Sequence, residues 1–362
     1  MTTETKASHR YEPEVVFPPG ETLAERLEEL GMTQVELAAR TGLSAKHINQ
    51  IVQGAAAVTP ETALLLEHAT RTPARVWNNL EIAYREYLTR AAESRRLTED
   101  APWLDELPIR QLVSRGWIKK CPTPVDQLRE VCTFFGVADR TAWMTVWHKP
   151  TAYRTSKAFT SDPGAVAAWL RIGEIRAEEI ECHPYDRGGL LRLLPQLREM
   201  TQERDPNAWF PALVSRCASV GVAVVAEPEI KGARINGAAR WLTSTKALVQ
   251  LSLRHKWSDI MWFTFFHEIG HVLEHSKKET FINDAGHHSG VEQEADAFAS
   301  ELLIGRQHEP ELAMLRTLDD VRSFAVRIGV GPGIVVGRLQ HDGRWPYNKG
   351  NELKQRLEFS GT

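Results

Sequence analysis

Hydrophobic positions along this chain follow the helical period in most segments and the strand period in one. Near the start, Thr33-Gln34-Val35-Glu36 reads as a capping box opening a short helix, with Val35, Leu37 and Ala38 at core spacing and Gly42 ending it in a tight turn. Ser44 caps a second helix, Ala45 to Gln53, in which Ile48, Ile51 and Val52 face inward and Lys46, His47, Asn49 and Gln50 outward. Thr59-Pro60-Glu61 begins another helix with an N-cap and an N1 proline. The charged stretch Arg90 to Asp105 reads as the continuation and end of a solvated helix. Helical patterns recur at Val125 to Phe135 and Ala165 to Ile180, where Trp103, Trp117, Trp143, Trp147 and Trp169 are expected as core anchors. A helix near Ala212 to Val220 precedes strand-like runs at Val222 to Ala226, Ala238 to Leu242 and Ala247 to Leu251, with Gly237 to Trp241 as the candidate sheet edge. The almost wholly apolar run Ile260 to Leu273 predicts a buried helix, and Ala295, Phe298, Ala299, Leu302 and Leu303 mark an amphipathic one. Val321 to Leu339 has a helix-turn-helix look, which we read in preference as two packed helices.

With 362 residues and 42% hydrophobic content, the chain can bury two or three separate cores. A formal net charge of −3 implies no global attraction to polyanions. Cys121, Cys132, Cys182 and Cys217 form no CxxC pair, and reduced thiols are expected. No apolar run approaches the roughly 20 residues that span a bilayer, and the polar start MTTETKASHR lacks a signal-peptide core. The expected location is the cytoplasm, without a membrane partner.

The apolar run carries the chemistry. His267-Glu268-Ile269-Gly270-His271 is an HExxH motif, and buried imidazoles and carboxylates lose free energy unless satisfied. Residues four apart share a helix face, so His267 and His271 can bind one Zn2+, while Glu268 flanks the metal as the base that takes a proton from a water acidified by it. A third ligand is available from the acids that open the following amphipathic helix, Glu292, Glu294 and Asp296. Two histidines and one carboxylate leave an open position, as catalytic zinc sites do. Glu292 lies near that helix's apolar stripe, and Glu294 is turned well away. His275 fails the metzincin spacing and is expected to have a hydrogen-bonding or structural role rather than to ligate. His287 and His288 sit in a Gly-containing loop where exposure is the default. Arg234, Arg240 and Arg254 are open candidates for an oxyanion donor.

The HEIGH motif, the downstream ExxADxFAxELL pattern and the segment Gly237-Ala238-Ala239-Arg240-Trp241 to Leu251-Ser252-Leu253-Arg254 resemble the ImmA/IrrE family of bacterial zinc metallo-endopeptidases, over roughly Ala212 to Leu339. The resemblance implies that Glu292 is the third ligand and that Asp296 orients a ligand histidine. It further implies a soluble enzyme that cleaves a regulatory protein, such as a repressor, an antitoxin or a toxin partner.

The amino-terminal pattern is helix, glycine turn, then a helix with exposed amide and basic side chains, an arrangement whose second helix enters a DNA major groove. Gln34, Ser44, Lys46, His47, Asn49 and Gln50 are the candidate DNA contacts. From Pro19-Gly20-Glu21-Thr22-Leu23 to Trp77-Asn78-Asn79-Leu80-Glu81 the chain resembles the XRE group, most closely its HigA antitoxin branch. Between Glu21 and Arg71 seven acids face four bases. Phosphate neutralisation is therefore small, and binding must rest on dimerisation or direct base readout; a module for protein contacts alone is the competing reading.

These readings combine into a mainly α, α+β fold: a flexible tail over 1–20, a helix-turn-helix bundle over 21–90, a helical connector over 91–205 and a zincin-like metallopeptidase domain over 206–362. The expected function is a DNA-binding zinc endopeptidase, homodimeric through its first domain and bound to operator DNA. The alternative is a HigA-like repressor whose peptidase-like domain senses or binds a partner without catalysis.

Overall fold

The computed structural model describes residues 16–148, 161–275, the backbone of 281–284, and 290–357. His287 and His288 lie outside the described residues. The fold is predominantly helical with one small mixed sheet. The chain divides into two compact units, Met1–Asp100 and Ala101–Thr362.

The first unit is a bundle of α1 (Pro19–Glu29), α2 (Gln34–Thr41), α3 (Ala45–Val52), α4 (Pro60–Thr70) and the long α5 (Ala74–Glu99). Side-chain caps start three of them: Thr33 accepts from Glu36 N, Ser44 from His47 N and Thr59 from Thr62 N. Gly42, at φ 74°, ends α2 in the left-handed conformation that glycine adopts without strain. Leu23, Leu27, Leu37, Ile48, Ile51, Leu66 and Trp77 form the core. Two sequence expectations change here. The Glu36 carboxylate turns to Arg40, at 2.6 Å. Val35 is 71% exposed, because two residues rotate it about 200° from buried Leu37.

In the second unit, α6 (Ile109–Ser114), α7 (Pro124–Phe135), α8 (Arg140–Trp143), α9 (Pro163–Glu178), α10 (Arg187–Glu199) and α11 (Pro206–Ala218) precede the sheet. Its strands β1 (Val222–Glu227), β2 (Ile235–Thr243), β3 (Lys246–Ser252) and β4 (Phe281–Asp284) stand in the order β1-β3-β2-β4, with β1 parallel to β3 and the other pairs antiparallel. Both faces of β1 are buried, as in a sheet covered on two sides. Ala223 and Val225 pack with Ala177 and Leu248. Val222 and Val224 share a core with Val249, Trp262, Phe265 and Phe266. β2 is thus an internal strand, and β4 holds the edge that the sequence pattern placed at Gly237–Trp241. Trp103, Trp143, Trp147 and Trp169 are buried; half-buried Trp117 lies under the Arg176 guanidinium, 5.0 Å from the ring centre.

After β3 come α12 (Ser258–Glu274), α13 (Gly290–Leu303), α14 (Glu309–Leu312), α15 (Leu318–Ile328) and α16 (Pro332–His341). Phe324, Ala325, Val335, Val336 and Leu339 are buried in the core of this unit, so the second helix-turn-helix look records packing. The carboxy-terminal segment straps down the start of α12. Ser258 N donates to Gln355 O (2.9 Å), Leu357 N donates to Lys256 O (2.8 Å), and Lys354 Nζ lies 2.7 Å from Asp259 Oδ2. Both members of that pair are 7% exposed. Burial pushes the Asp259 carboxyl up, and the Lys354 charge opposes it. None of the four cysteines is joined in a disulfide. Among the described residues no helix is long and apolar enough to cross a membrane.

Lys354→Met should leave the Asp259 charge buried without its partner and cost about 3–5 kcal/mol, while Asp259→Asn combined with Lys354→Met recovers most of that loss. Chemical denaturation of the three proteins checks this; a single variant as stable as the parent would remove the ion pair from the account of how α12 is anchored.

Candidate metal centre

α12 is apolar on every side and buried almost throughout, as a helix in the middle of a domain must be. Its last carbonyls are met by cationic and phenolic donors from elsewhere: Arg187 Nε donates to Leu273 O (3.2 Å) and Tyr185 Oη to Val272 O (3.5 Å). Into this apolar frame the sequence inserts His267, Glu268 and His271, each 1% exposed or less.

The histidines, four residues apart, bring their rings to 4.7 Å and their Nε2 atoms to 3.0 Å. Glu292 of α13 places Oε2 at 3.0 Å from His267 Nε2 and 3.5 Å from His271 Nε2. α13 can come this close because a Cβ on Gly270 would lie only 3.2 Å from Phe298 and 3.4 Å from the Ala295 backbone. On the other side of His267, Nδ1 meets Asp296 Oδ1 at 2.8 Å. Glu294 is 71% exposed and meets His275 Nε2 at 3.0 Å.

Charge in the cluster is strongly coupled. Burial disfavours a charged His267, yet its hydrogen bonds to Asp296 and Glu292 win and raise it to about 10. The same donors, His267 and His271, pull Glu292 down to about 2 against the effect of burial. Burial lowers His271. Glu268 is sealed completely, and neither carboxylate oxygen has a hydrogen-bond partner. Burial, with Glu292 and Asp296 adding to it and His267 opposing, raises it to about 8. Gly237 on β2 faces this carboxylate, where a Cβ would stand 2.7 Å from Oε1 and 2.5 Å from Thr264.

His267, His271 and Glu292 are a group able to hold a metal ion, their ligand atoms lying within 4.8 Å of one another. The fit can be tested on the distances. Tetrahedral bonds of about 2.0–2.1 Å put neighbouring ligand atoms about 3.3 Å apart, and the observed separations of 3.0, 3.0 and 3.5 Å bracket that value. A partnerless buried carboxylate beside the trio is a second sign that a cation suits the place. Two nitrogens and one oxygen are a zinc donor set.

The oxyanion candidates do not gather here. Arg240 and Gly237 differ by an odd number of strand positions, so Arg240 faces away, pairing with Glu174 and covering the Trp147 ring at 5.4 Å. Arg254 donates to Arg234 O and lies 3.7 Å from Glu229, whose carboxylate also accepts from Arg234 N. A cavity of about 300 Å³ runs beside Asp296 between α12, α13 and α16, with Phe263, Leu303 and Ile334 in its apolar wall.

In the first unit, Lys46 and Asn49 are exposed on α3, and His47, Gln50 and Gln34 are half-buried. Asn49 Nδ2 reaches Gln34 Oε1 at 3.4 Å, so these amides share one face of the α2–α3 pair. Ser44 Oγ is engaged in capping, accepting from His47 N at 3.1 Å.

Residues 23–77 match the helix-turn-helix family, and residues 244–340 match the IrrE N-terminal-like domain of peptidase family M78. The chain joins a helix-turn-helix segment to an IrrE-like segment. A search of curated proteins finds no match. Among solved structures, the chain is similar to an addiction-module antidote protein of the HigA family from Coxiella burnetii, with 29% identity over 23% of this chain and 92% of that one, at a TM-score of 0.22. It is also similar to the Pseudomonas aeruginosa antitoxin HigA solved with the higBA promoter, with 28% identity over 23% and 91% of the two chains, at a TM-score of 0.22.

Because His267 is raised, its proton stabilises the metal-free IrrE-like segment fully below the ordinary histidine value of about 6.5, and that stabilisation fades as pH rises through about 10. A metal ion at neutral pH must expel the same proton. Calorimetric zinc titration in buffers of different ionisation enthalpy should read release of at least about one proton, from His267, with Glu268 able to add to it; a reading of zero would mean that the trio does not take the ion.

Proposed function

We propose that the chain is a DNA-targeted zinc endopeptidase of a bacterial regulatory or toxin-antitoxin type system, acting in the cytoplasm on a repressor, antitoxin or similar regulatory protein. In this reading residues 21–90 bind operator DNA as a homodimer, residues 91–205 connect, and residues 206–362 carry the hydrolase. The observation that supports it most is the convergence of His267, His271 and Glu292 beside the sealed, partnerless carboxylate of Glu268.

His267, His271 and Glu292 would hold Zn2+, which supplies Lewis-acid activation of water and of the scissile carbonyl. The chain's own groups do the rest. Glu268 takes the proton of the attacking water on its carboxylate and returns it to the departing amine. Its burial raises its affinity for that proton, and Gly237 leaves room for the carboxylate. Asp296 accepts from His267 Nδ1, which keeps the Nε2 lone pair directed at the site.

DNA targeting is supported by the helix-turn-helix match and by the amide pair Gln34–Asn49 beside exposed Lys46. Adenine edges suit the amides, and guanine or phosphate suits the lysine. The excess of acids in this unit argues for low non-specific affinity.

Glu268→Gln should retain one zinc per chain and abolish cleavage of a regulatory protein encoded beside this one, since it removes the base and leaves every ligand. Wild-type cleavage by this variant would sink the mechanism, and a wild-type enzyme that loads zinc but never cleaves would favour the non-catalytic sensor. Asn49→Ala or Gln50→Ala should cost roughly 1–3 kcal/mol at one operator base pair. Selection from genomic fragments checks this, and absence of any sequence preference in the intact protein would leave the first unit as a protein-contact module.

A further inference from the structure

We infer that His275 and Glu294 form a positioning pair for His271, so that α13 supplies both the third ligand and the carboxylates standing behind the two histidines. The inference rests on the zinc-site reading above. α12 ends at His275, whose backbone is extended (φ −116°, ψ 171°) while its N–H still donates to His271 O at 3.2 Å. That turn swings the His275 ring back against His271, with ring centres 5.0 Å apart and the two Nδ1 atoms 3.0 Å apart. The His275 side chain is only 9% exposed, and its Nε2 lies 3.0 Å from Glu294 Oε2.

These contacts are satisfied by an arrangement of protons that keeps the His271 Nε2 lone pair for a metal. His271 Nε2 faces His267 Nε2 and Glu292, so its lone pair belongs there and its proton sits on Nδ1. His271 Nδ1–H then donates to His275 Nδ1. The remaining proton of neutral His275 sits on Nε2 and donates to the Glu294 carboxylate. His267 is held in the same tautomer directly, by Asp296. Glu292, Glu294 and Asp296 thus alternate along the first turns of one helix, the middle acid acting through His275. The helix N-terminus favours such acids.

The test uses the full-length protein with zinc alone as ligand. Zinc affinity is read by chelator competition, and the His271 tautomer by 15N ring shifts in the metal-free and zinc-loaded states. His275→Phe should weaken zinc roughly 10–100-fold and remove the single Nδ1–H signature of His271. His275→Asn, which keeps an acceptor near the position of Nδ1, should recover much of both. Glu294→Gln should shift the His275 Nε2 resonance and weaken zinc several-fold less than His275→Phe. Should His275→Phe fail to fold, Glu294→Gln, altered at an exposed site, carries the same readouts. Parental zinc affinity and an unchanged His271 tautomer in these variants overturn the pair alone. A wild-type protein that takes no zinc, or whose zinc binding survives His267→Ala, overturns the zinc site and the pair with it.

Discussion

The centre of the second unit answers to one electrostatic constraint: two imidazoles and a carboxylate are placed in the middle of an apolar helix. Such groups are costly unless each acquires a partner or, as burial favours for Glu268, gives up its charge. His267 finds Glu292 and Asp296, His271 finds His275, and Glu268 alone finds none. The surrounding architecture can be understood as the means of bringing those partners in. Gly270 permits α13 to approach, Arg187 and Tyr185 occupy the far carbonyls of α12, and the carboxy-terminal strap fixes its near end. The small sheet lies along the same helix and contributes Gly237.

How much of this was legible in the sequence depended on the range of the interactions. The helix-turn-helix was readable because caps and glycine turns are local, and the strand runs Val222–Ala226 and Ala247–Leu251 because burial on both faces leaves continuous apolar stretches. Val35 misled because a helix of only eight residues offers too few turns for periodicity to define a face. β4 was missed since four residues, Phe281 to Asp284, show no alternation, and their pairing with β2 spans some forty positions. The orientation of Arg240 was recoverable from the two-residue period counted from Gly237. The spacing of Glu292 from Glu294 separated their faces, but no pattern announced that Glu294 would meet His275. That contact requires the extended backbone at the end of α12 and the approach of α13, both tertiary events.

The two units differ in how they hold charge. In the first, acids and bases pair along helix surfaces, as Arg40 does with Glu36 and Arg90 with Glu86, where such pairs contribute little. The second carries exposed pairs too, such as Arg322 with Asp319, and adds two deep ones: Lys354 with Asp259, and Arg240, over the Trp147 ring, with Glu174. Charge changes at the exposed pairs of either unit are therefore cheap, and changes at the two deep pairs are not. Substitutions thus meet different tolerances at different depths within one polypeptide.

Gly237 has a consequence for reading other chains of this architecture. A strand residue without a side chain weakens the sheet, and here its vacancy is filled by the Glu268 carboxylate. The two positions are sterically tied: a larger residue on the strand is compatible only with a shorter or displaced one on the helix. A chain with a shorter side chain in place of Glu268 would be released from that tie, and a methyl group or more could occupy the strand position. Under the proposed hydrolase reading, the strand glycine and the helix carboxylate would be kept or lost together, a coupling set by space between the two elements and independent of the histidines.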